Sequence, residues 1–364
     1  MLEFVGQMID GLFGRRGSSL SVPILDGAFK PNNLLEDAEV LLERPGLEDM
    51  ALAPDGSLLV AAGAEVLAIA GGEPRVVERH DGAVTALTVL RDGRRAAALG
   101  DRILVEGVAA PIAEAAGRRF KAITALAPAA DGRILVCDAS ARYGGDQWQY
   151  DLMTKGRSGR LLALDPDGSK TELLQNDLAW AFGAMAVRDG VLVSESWRHR
   201  LRLAGRGGDA TGELPGYPAR MTPTADGGFW LSLFSGRAQI VEFLLQESSF
   251  RREMMETIDP KHWISPALSS GEDFLEPLQS GGVKHMGILK PWAPPRSYGL
   301  AVRCDANRNP LMSVHSRVGG RNHGIVTTLE RGTEVLALSK GAGRLLRMDL
   351  QAIRTANGIT GGVA

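Results

Sequence analysis

The chain has almost no cysteine: two residues in 364, Cys137 and Cys304, each inside an apolar segment. Two thiols make neither a disulfide framework nor a cysteine-based metal site, so both read as buried small hydrophobes. Charge of one sign is equally scarce. The 41 basic and 43 acidic residues leave a formal charge of −2 with no basic stripe, which excludes a nucleic-acid partner. No apolar run approaches the length of a membrane span, so no integral membrane role is expected and the protein reads as cytoplasmic. No histidine pair shows metal-ligand spacing, and neither a nucleophile elbow nor a phosphate-binding glycine loop occurs, which leaves the 45 glycines to turns. The opening residues, MLEFVGQMIDGLFGRRGSS, carry Glu3 and Asp10 ahead of their arginines, the reverse of a secretory signal. Leu2, Val5, Met8, Ile9, Leu12 and Phe13 recur at helical spacing and predict a short amphipathic segment over 1–20, docked on the surface of the domain.

What is present is a repeat. MALAPDGSLLVAAGAEVLAI from residue 50, ALTVLRDGRRAAALGDRILV from 86 and ALAPAADGRILVCDAS from 125 each read as a short strand, a turn closed by Asp-Gly and a second strand. GAMAVRDGVLVSESWRHRLRL from 183 and MTPTADGGFWLSLFSGRAQI from 221 repeat the unit, and TTLERGTEVLALSKGAGRLLRMDL from 327 is a worn sixth copy. The turns begin at Asp55, Asp92, Asp131, Asp189 and Asp226, spaced by 37, 39, 58 and 37 residues. A period near forty with four short strands per unit is that of a β-propeller blade. The fold class is therefore all-β: a six-bladed β-propeller over 21–364, closed by the strand DAEVLLERPG at 37–46. The alternating pattern of SESWRHRLRL predicts a continuous two-faced strand. An insertion in the fifth blade, 244–297, begins with a helical pattern through Phe243, Leu244, Phe250, Met254, Met255 and Ile258 and runs to the extended, proline-rich KPWAPPRSYG. Such an insertion covers a site or forms a protein contact.

The order VCDASARY, YDLM, GRLLALDPDG, VLVSESWRHRLRL, LPGYPARM, GGFWLSL resembles the strictosidine synthase-like family of six-bladed propellers, which is related to gluconolactonases and paraoxonases. The resemblance covers about 120–245 and resumes in GIVTTLERGTEVLAL and RLLRMDL. It implies a site in the axial channel. The family's condensing enzymes use a glutamate entering the last blade, where this chain has Thr327, so strictosidine synthesis is not expected. The hydrolytic relatives hold a calcium or similar ion on the axis through a first-blade glutamate and later asparagines or aspartates. Here Glu48 matches the glutamate, while the other positions fall on Ile123, Ala181-Phe182-Gly183 and Pro218-Ala219-Arg220. A lone glutamate does not hold calcium, so no cofactor is expected, and Glu48 would be a ligand only if a metal were retained. Asp49 takes that role if the register is shifted by one.

A buried Glu48 without its ion needs another cation, and Arg220 is expected to replace it from across the channel. The candidate catalytic residues are Glu48, Arg220 and His323, the last as a general base by the channel mouth. The candidate substrate-binding residues are Phe182, Trp180, Tyr143, Trp148 and Thr327. Tyr143 and Trp148 belong to the insertion RYGGDQWQYDLM, in which an aromatic and acidic wall suits a small ligand, although packing over a blade edge is the blander role. The partner is a small organic molecule. Function reads as an ester or lactone hydrolase, or another acid/base enzyme with a degenerate metal site. The alternative is a non-catalytic small-molecule-binding or protein-interaction scaffold using 244–297.

Overall fold

The computed structural model describes residues 22–70, 73–271, 275–277, 284–285, 288–289 and 296–359. The amphipathic segment over 1–20 and the prolines of 290–295 lie outside the described residues. Four of the repeated turns show why aspartate is placed in them. The Asp55, Asp92, Asp131 and Asp226 carboxylates each accept the backbone N–H two residues on, at 2.9, 3.1, 3.2 and 3.1 Å. The glycine after each stands at a left-handed φ between +79° and +89°, which a side chain would strain.

These turns join antiparallel strands into six sheets. The first blade holds β2 (Leu47–Leu52), β3 (Leu58–Ala62), β4 (Glu65–Ile69) and β5 (Arg75–Arg79); the second holds β6 (Ala86–Val89), β7 (Arg95–Ala98) and β8 (Ile103–Val105), with the small hairpin β9 (Glu114–Ala115) and β10 (Arg118–Arg119) after it. The third holds β11 (Ile123–Pro128), β12 (Ile134–Asp138), β13 (Gly159–Leu164) and β14 (Thr171–Leu178), with helix α1 (Trp148–Met153) inserted before β13. The fourth is β15 (Ala181–Val187), β16 (Gly190–Glu195) and β17 (Arg200–Leu203). In the fifth, β18 (Gly216–Pro223) and β19 (Phe229–Gly236) are followed by α2 (Gln239–Gln246), α3 (Ser248–Thr257) and the hairpin β20 (Lys284–His285) and β21 (Ile288–Leu289), before β22 (Gly299–Cys304) and β23 (Pro310–Ser316) complete the sheet. The sixth holds β24 (Ile325–Arg331), β25 (Glu334–Ser339) and β26 (Arg344–Asp349), and its outer strand is β1 (Glu39–Glu43) from the other end of the chain; α4 (Leu350–Ala356) follows.

Each inner strand, β2, β6, β11, β15, β18 and β24, packs against the next, and β24 returns to β2 to close the ring. The expected continuous strand through SESWRHRLRL is instead interrupted. Ser196–Arg198 forms a tight turn ending in left-handed His199, because the Ser196 and Trp197 N–H groups bond back to Trp180 and Ala179 rather than along a ladder. The helical pattern after Phe243 is real but breaks in two at Glu247. Among the described residues no helix is long and apolar enough to cross a membrane.

Candidate functional site

Five of the six inner strands break register near their start: between Leu47 and Asp49, Ile123 and Ala125, Ala181 and Ala184, Gly216 and Met221, and Ile325 and Thr327. An extra residue in a strand bends it and re-aims its carbonyls and side chains. In this ring the displaced residues include Glu48, Thr124, Phe182 and Arg220, and they meet at the centre.

Arg220 is only 5% exposed and touches every other blade. Its Nη1 donates to the Glu48 carbonyl of the first blade at 2.8 Å, and Nη2 donates to the Thr85 carbonyl, just before β6, at 2.7 Å. The Thr124 carbonyl of the third blade accepts from Nη2 and Nε at 2.6 and 3.0 Å. The guanidinium lies over the Phe182 ring of the fourth blade, 5.3 Å from its centroid, and Nη1 reaches the Thr327 hydroxyl of the sixth at 3.4 Å. One side chain from the fifth blade thus fastens the inner rim of the ring.

The ion pair differs from the expected one. The nearer carboxylate is Asp49, 3.3 Å from Nε, whereas Glu48 Oε1 is 3.8 Å from Nη2 and the Glu48 carboxylate sits 2.5 Å from Lys340 Nζ. The bulge in β2 explains this, because it turns two consecutive residues inward instead of one. Asp49 is buried and accepts from the Leu87 and Met50 N–H groups, both at 2.9 Å, and from the Thr327 hydroxyl at 2.8 Å. Burial pushes its carboxyl above the usual range, against the opposing pull of Arg220 and these donors.

Close approach of β15 and β18 makes the arrangement depend on Gly183. A Cβ there would lie 2.6 Å from the Ala219 carbonyl oxygen and 2.7 Å from Arg220 Cα, both backbone atoms with nowhere to move. Gly183→Ala is expected to cost about 1–3 kcal/mol in urea denaturation. A variant as stable as wild type would show that the inner strands separate freely.

The residues at the ring centre do not fit a calcium ion. A hard cation needs six or more oxygens at about 2.3–2.6 Å, and the carbonyls of Glu48, Thr85 and Thr124 already accept from a fixed positive charge. The fourth blade offers the Phe182 ring instead of an oxygen, and among the described residues no three His, Cys, Asp or Glu side chains converge. Millimolar calcium and EDTA are both expected to leave the melting temperature unchanged. A saturable calcium-dependent rise would contradict this.

Arg220 and its acceptors divide the channel. On the side of the Asp-Gly turns lies a cavity of about 390 Å³ that reaches Asp49, Arg220 and Thr327. On the opposite side, where the inner strands begin, a cavity of about 1030 Å³ opens above Glu48 and Lys340. Its wall is aromatic, formed by Trp148, Trp180, Phe182 and Phe234. Trp148 and Phe182 pack on Phe234 with centroids 5.5 and 5.6 Å apart, and Trp180 stacks on Trp197 at 5.2 Å. Trp180 holds a left-handed φ of +60°, a strained conformation for a bulky residue and one typical of binding sites. Behind this wall the Trp197 indole N–H donates to the buried Asp151 at 2.8 Å, and the Ser140 hydroxyl donates to the same carboxylate at 2.6 Å. The two insertions meet beside the channel mouth. Gln149 donates to Ser265 Oγ at 2.8 Å, Tyr150 packs edge-on against Trp263, and Leu268 reaches the cavity.

Of the residues singled out from the sequence, Glu48, Trp148, Trp180 and Phe182 line the upper cavity. Tyr143 does not; it stacks on Tyr150. Thr327 lines the lower cavity, where its hydroxyl holds Asp49. Arg220 is below the upper cavity with its N–H groups committed to carbonyls.

His323, expected as a general base by the channel mouth, lies away from both cavities. It is buried and bonded through Nε2 to the Arg317 carbonyl at 3.1 Å and through Nδ1 to Ser297 Oγ at 2.7 Å. A carbonyl only accepts, so Nε2 carries a proton, and burial lowers the pKa of the ring. His315 is held likewise. Ser313 Oγ donates to the Ala28 carbonyl and accepts from His315 Nε2 at 2.7 Å, while the Tyr298 hydroxyl donates to Nδ1 at 3.1 Å. Burial pushes its pKa down to about 4, with the Arg317 charge adding to the effect. The unfolded chain therefore binds the proton first as pH falls. Stability is expected to drop by about 3 kcal/mol between pH 6.5 and 4 from His315 alone, and His315→Gln should flatten that part of the melting profile.

Lys340, Phe234 and Leu268 carry no functional signal in the residue pattern. Lys340 sits in an ordinary β25–β26 turn and Phe234 in an apolar strand, and only ring closure brings them to Glu48 and Trp148.

No protein-family model matches the chain. Strictosidine synthase-like protein 7 of Arabidopsis thaliana is 30% identical over 171 residues, 45% of this chain and 42% of the relative, so the chain spans a little under half the length of the curated relatives it first matches. A gluconolactonase from Xanthomonas campestris superimposes with a TM-score of 0.54 at 13% identity, covering 90% of this chain and 95% of that structure. Regucalcin from Agrobacterium tumefaciens, a calcium-binding protein, does so with a TM-score of 0.51 at 12% identity, covering 85% and 92%. The chain is thus a six-bladed β-propeller closed by β1, with strictosidine synthase-like homologues at about 30% identity over a little under half of its length.

Proposed function

We propose that the protein binds a small organic molecule in the upper cavity and hydrolyses an ester or lactone there without a metal. The observation that carries this reading is the Glu48–Lys340 pair, 2.5 Å apart at the foot of an aromatic-walled cavity large enough for a drug-sized ligand. Glu48 takes a proton from water as the water oxygen attacks the carbonyl carbon. The Lys340 ammonium stabilises the oxyanion that forms. Collapse expels the alkoxide, which takes the proton back from Glu48. Arg220 supplies a second fixed positive charge beneath, 3.8 Å from the Glu48 carboxylate. Likeness to a gluconolactonase fold supports the reaction class and no more.

The second reading is a binding or interaction scaffold, favoured by Phe243, Phe250 and Ile258, each about half exposed on the insertion. A panel of aryl esters and lactones assayed in EDTA tests the first reading. Turnover insensitive to EDTA is expected, whereas silence across the panel by a folded protein would favour the scaffold.

A further inference from the structure

The connection from the second blade to the third brings Arg119 and Lys121 to the rim of the upper cavity, where both are exposed. Among the described residues neither side chain meets a carboxylate. The other cations of the cavity are already paired: Arg102 with Asp81 and Asp101 at 2.8 and 3.1 Å, and Lys340 with Glu48. Among the described residues, Asp146, on the insertion beside Trp148, is the one lining acid without a cation partner. The uncommitted charge in the cavity is therefore two positive groups against one negative.

The backbone that carries the two cations is held unusually firmly. Asp138, fully buried, accepts from the Lys121 and Ala122 N–H groups at 3.2 and 3.0 Å and from Arg160 Nε at 2.9 Å. Arg160 in turn donates to the Ala115 and Arg118 carbonyls at 2.7 and 2.8 Å and covers the Phe120 ring at 5.3 Å. A buried ion pair adds little net stability; this one fixes the chain on both sides of Phe120, so Arg119 and Lys121 project from a rigid base. Preorganised donors lose less entropy when they capture an anion.

We propose that the ligand of the upper cavity is an aromatic carboxylate, its ring lying on the wall of Trp148, Trp180 and Phe182 and its anionic group meeting Arg119 and Lys121. This rests on the reading of that cavity as the binding site and adds the charge of what binds. Aromatic faces supply contact area at low entropic cost, and two cations on one short segment supply charge-assisted donors for a two-oxygen anion.

Calorimetric titration of the full chain at low salt with naphthalene-2-acetate, the neutral 2-naphthylacetamide and the cationic 2-(2-naphthyl)ethylammonium tests it. The carboxylate is expected to bind about tenfold more tightly than the amide, with the preference shrinking as salt is added. In the double variant Arg119→Gln, Lys121→Gln the preference should disappear while amide binding stays as it was. Equal affinity for carboxylate and amide overturns the inference, and so does preference for the ammonium probe, which would make Asp146 the recognising group. Failure of all three probes to bind a protein with the wild-type melting temperature overturns the cavity reading along with it. Hydrolysis is not read in this experiment, so a catalytically silent protein that still prefers the carboxylate keeps the inference and loses only the hydrolase reading.

Discussion

Replacing Arg220 by alanine is expected to lower stability by about 3–5 kcal/mol, measured by urea denaturation with the slope compared between variants. The variant leaves Asp49 buried without its cation and deprives the Glu48, Thr85 and Thr124 carbonyls of a donor at once. Each unsatisfied buried acceptor costs about 1–3 kcal/mol. Water entering between the two cavities offsets part of that, which is why the expected loss is not the simple total. Arg220→Lys should recover only a fraction, since an ammonium is a point charge and cannot present a planar fork to carbonyls on three blades. A melting temperature within error of wild type for Arg220→Ala would show that the ring needs no central cation.

The largest effect on activity is expected from Glu48. Glu48→Gln keeps the shape of the side chain but removes the base, and should lower kcat by about 10²–10⁴-fold on any substrate that the ester and lactone panel identifies. KM should change little, because the aromatic wall that holds the ligand is untouched. Lys340→Met tests the oxyanion partner separately and should lower kcat by about 10²–10³-fold. Equal turnover by Glu48→Gln and wild type would remove Glu48 from the chemistry.

The fold was legible because its signal is local and repeated. An aspartate that caps its own turn and a glycine at positive φ recur at Asp55, Asp92, Asp131 and Asp226, and β1 could be matched to the ring's open edge from its pattern alone. The centre of the site was legible only in part. Arg220 stands out in the sequence because a cation between apolar neighbours needs a partner, but which acid it meets depends on the β2 bulge, and a bulge leaves no mark in the residue alternation. Trp148 is a substrate-binding candidate from its aromatic and acidic insertion, and α1 carries it into the cavity wall. His323 looked reactive from its position before β24. In the fold Ser297 and the Arg317 carbonyl occupy both of its ring nitrogens, partners that are set by tertiary packing. The SESWRHRLRL stretch failed for a related reason: backbone bonds to Ala179 and Trp180, in another part of the blade, override its alternation.

The claim on which the account rests is that the protein's own guanidinium occupies the place of an axial ion. A crystal structure at high resolution, grown with millimolar calcium, tests it most directly. The expected result is Arg220 on the axis within hydrogen-bond distance of the Glu48, Thr85 and Thr124 carbonyls, with no divalent atom beside it. A divalent atom bound next to Glu48, with Arg220 turned out toward bulk water, would contradict it.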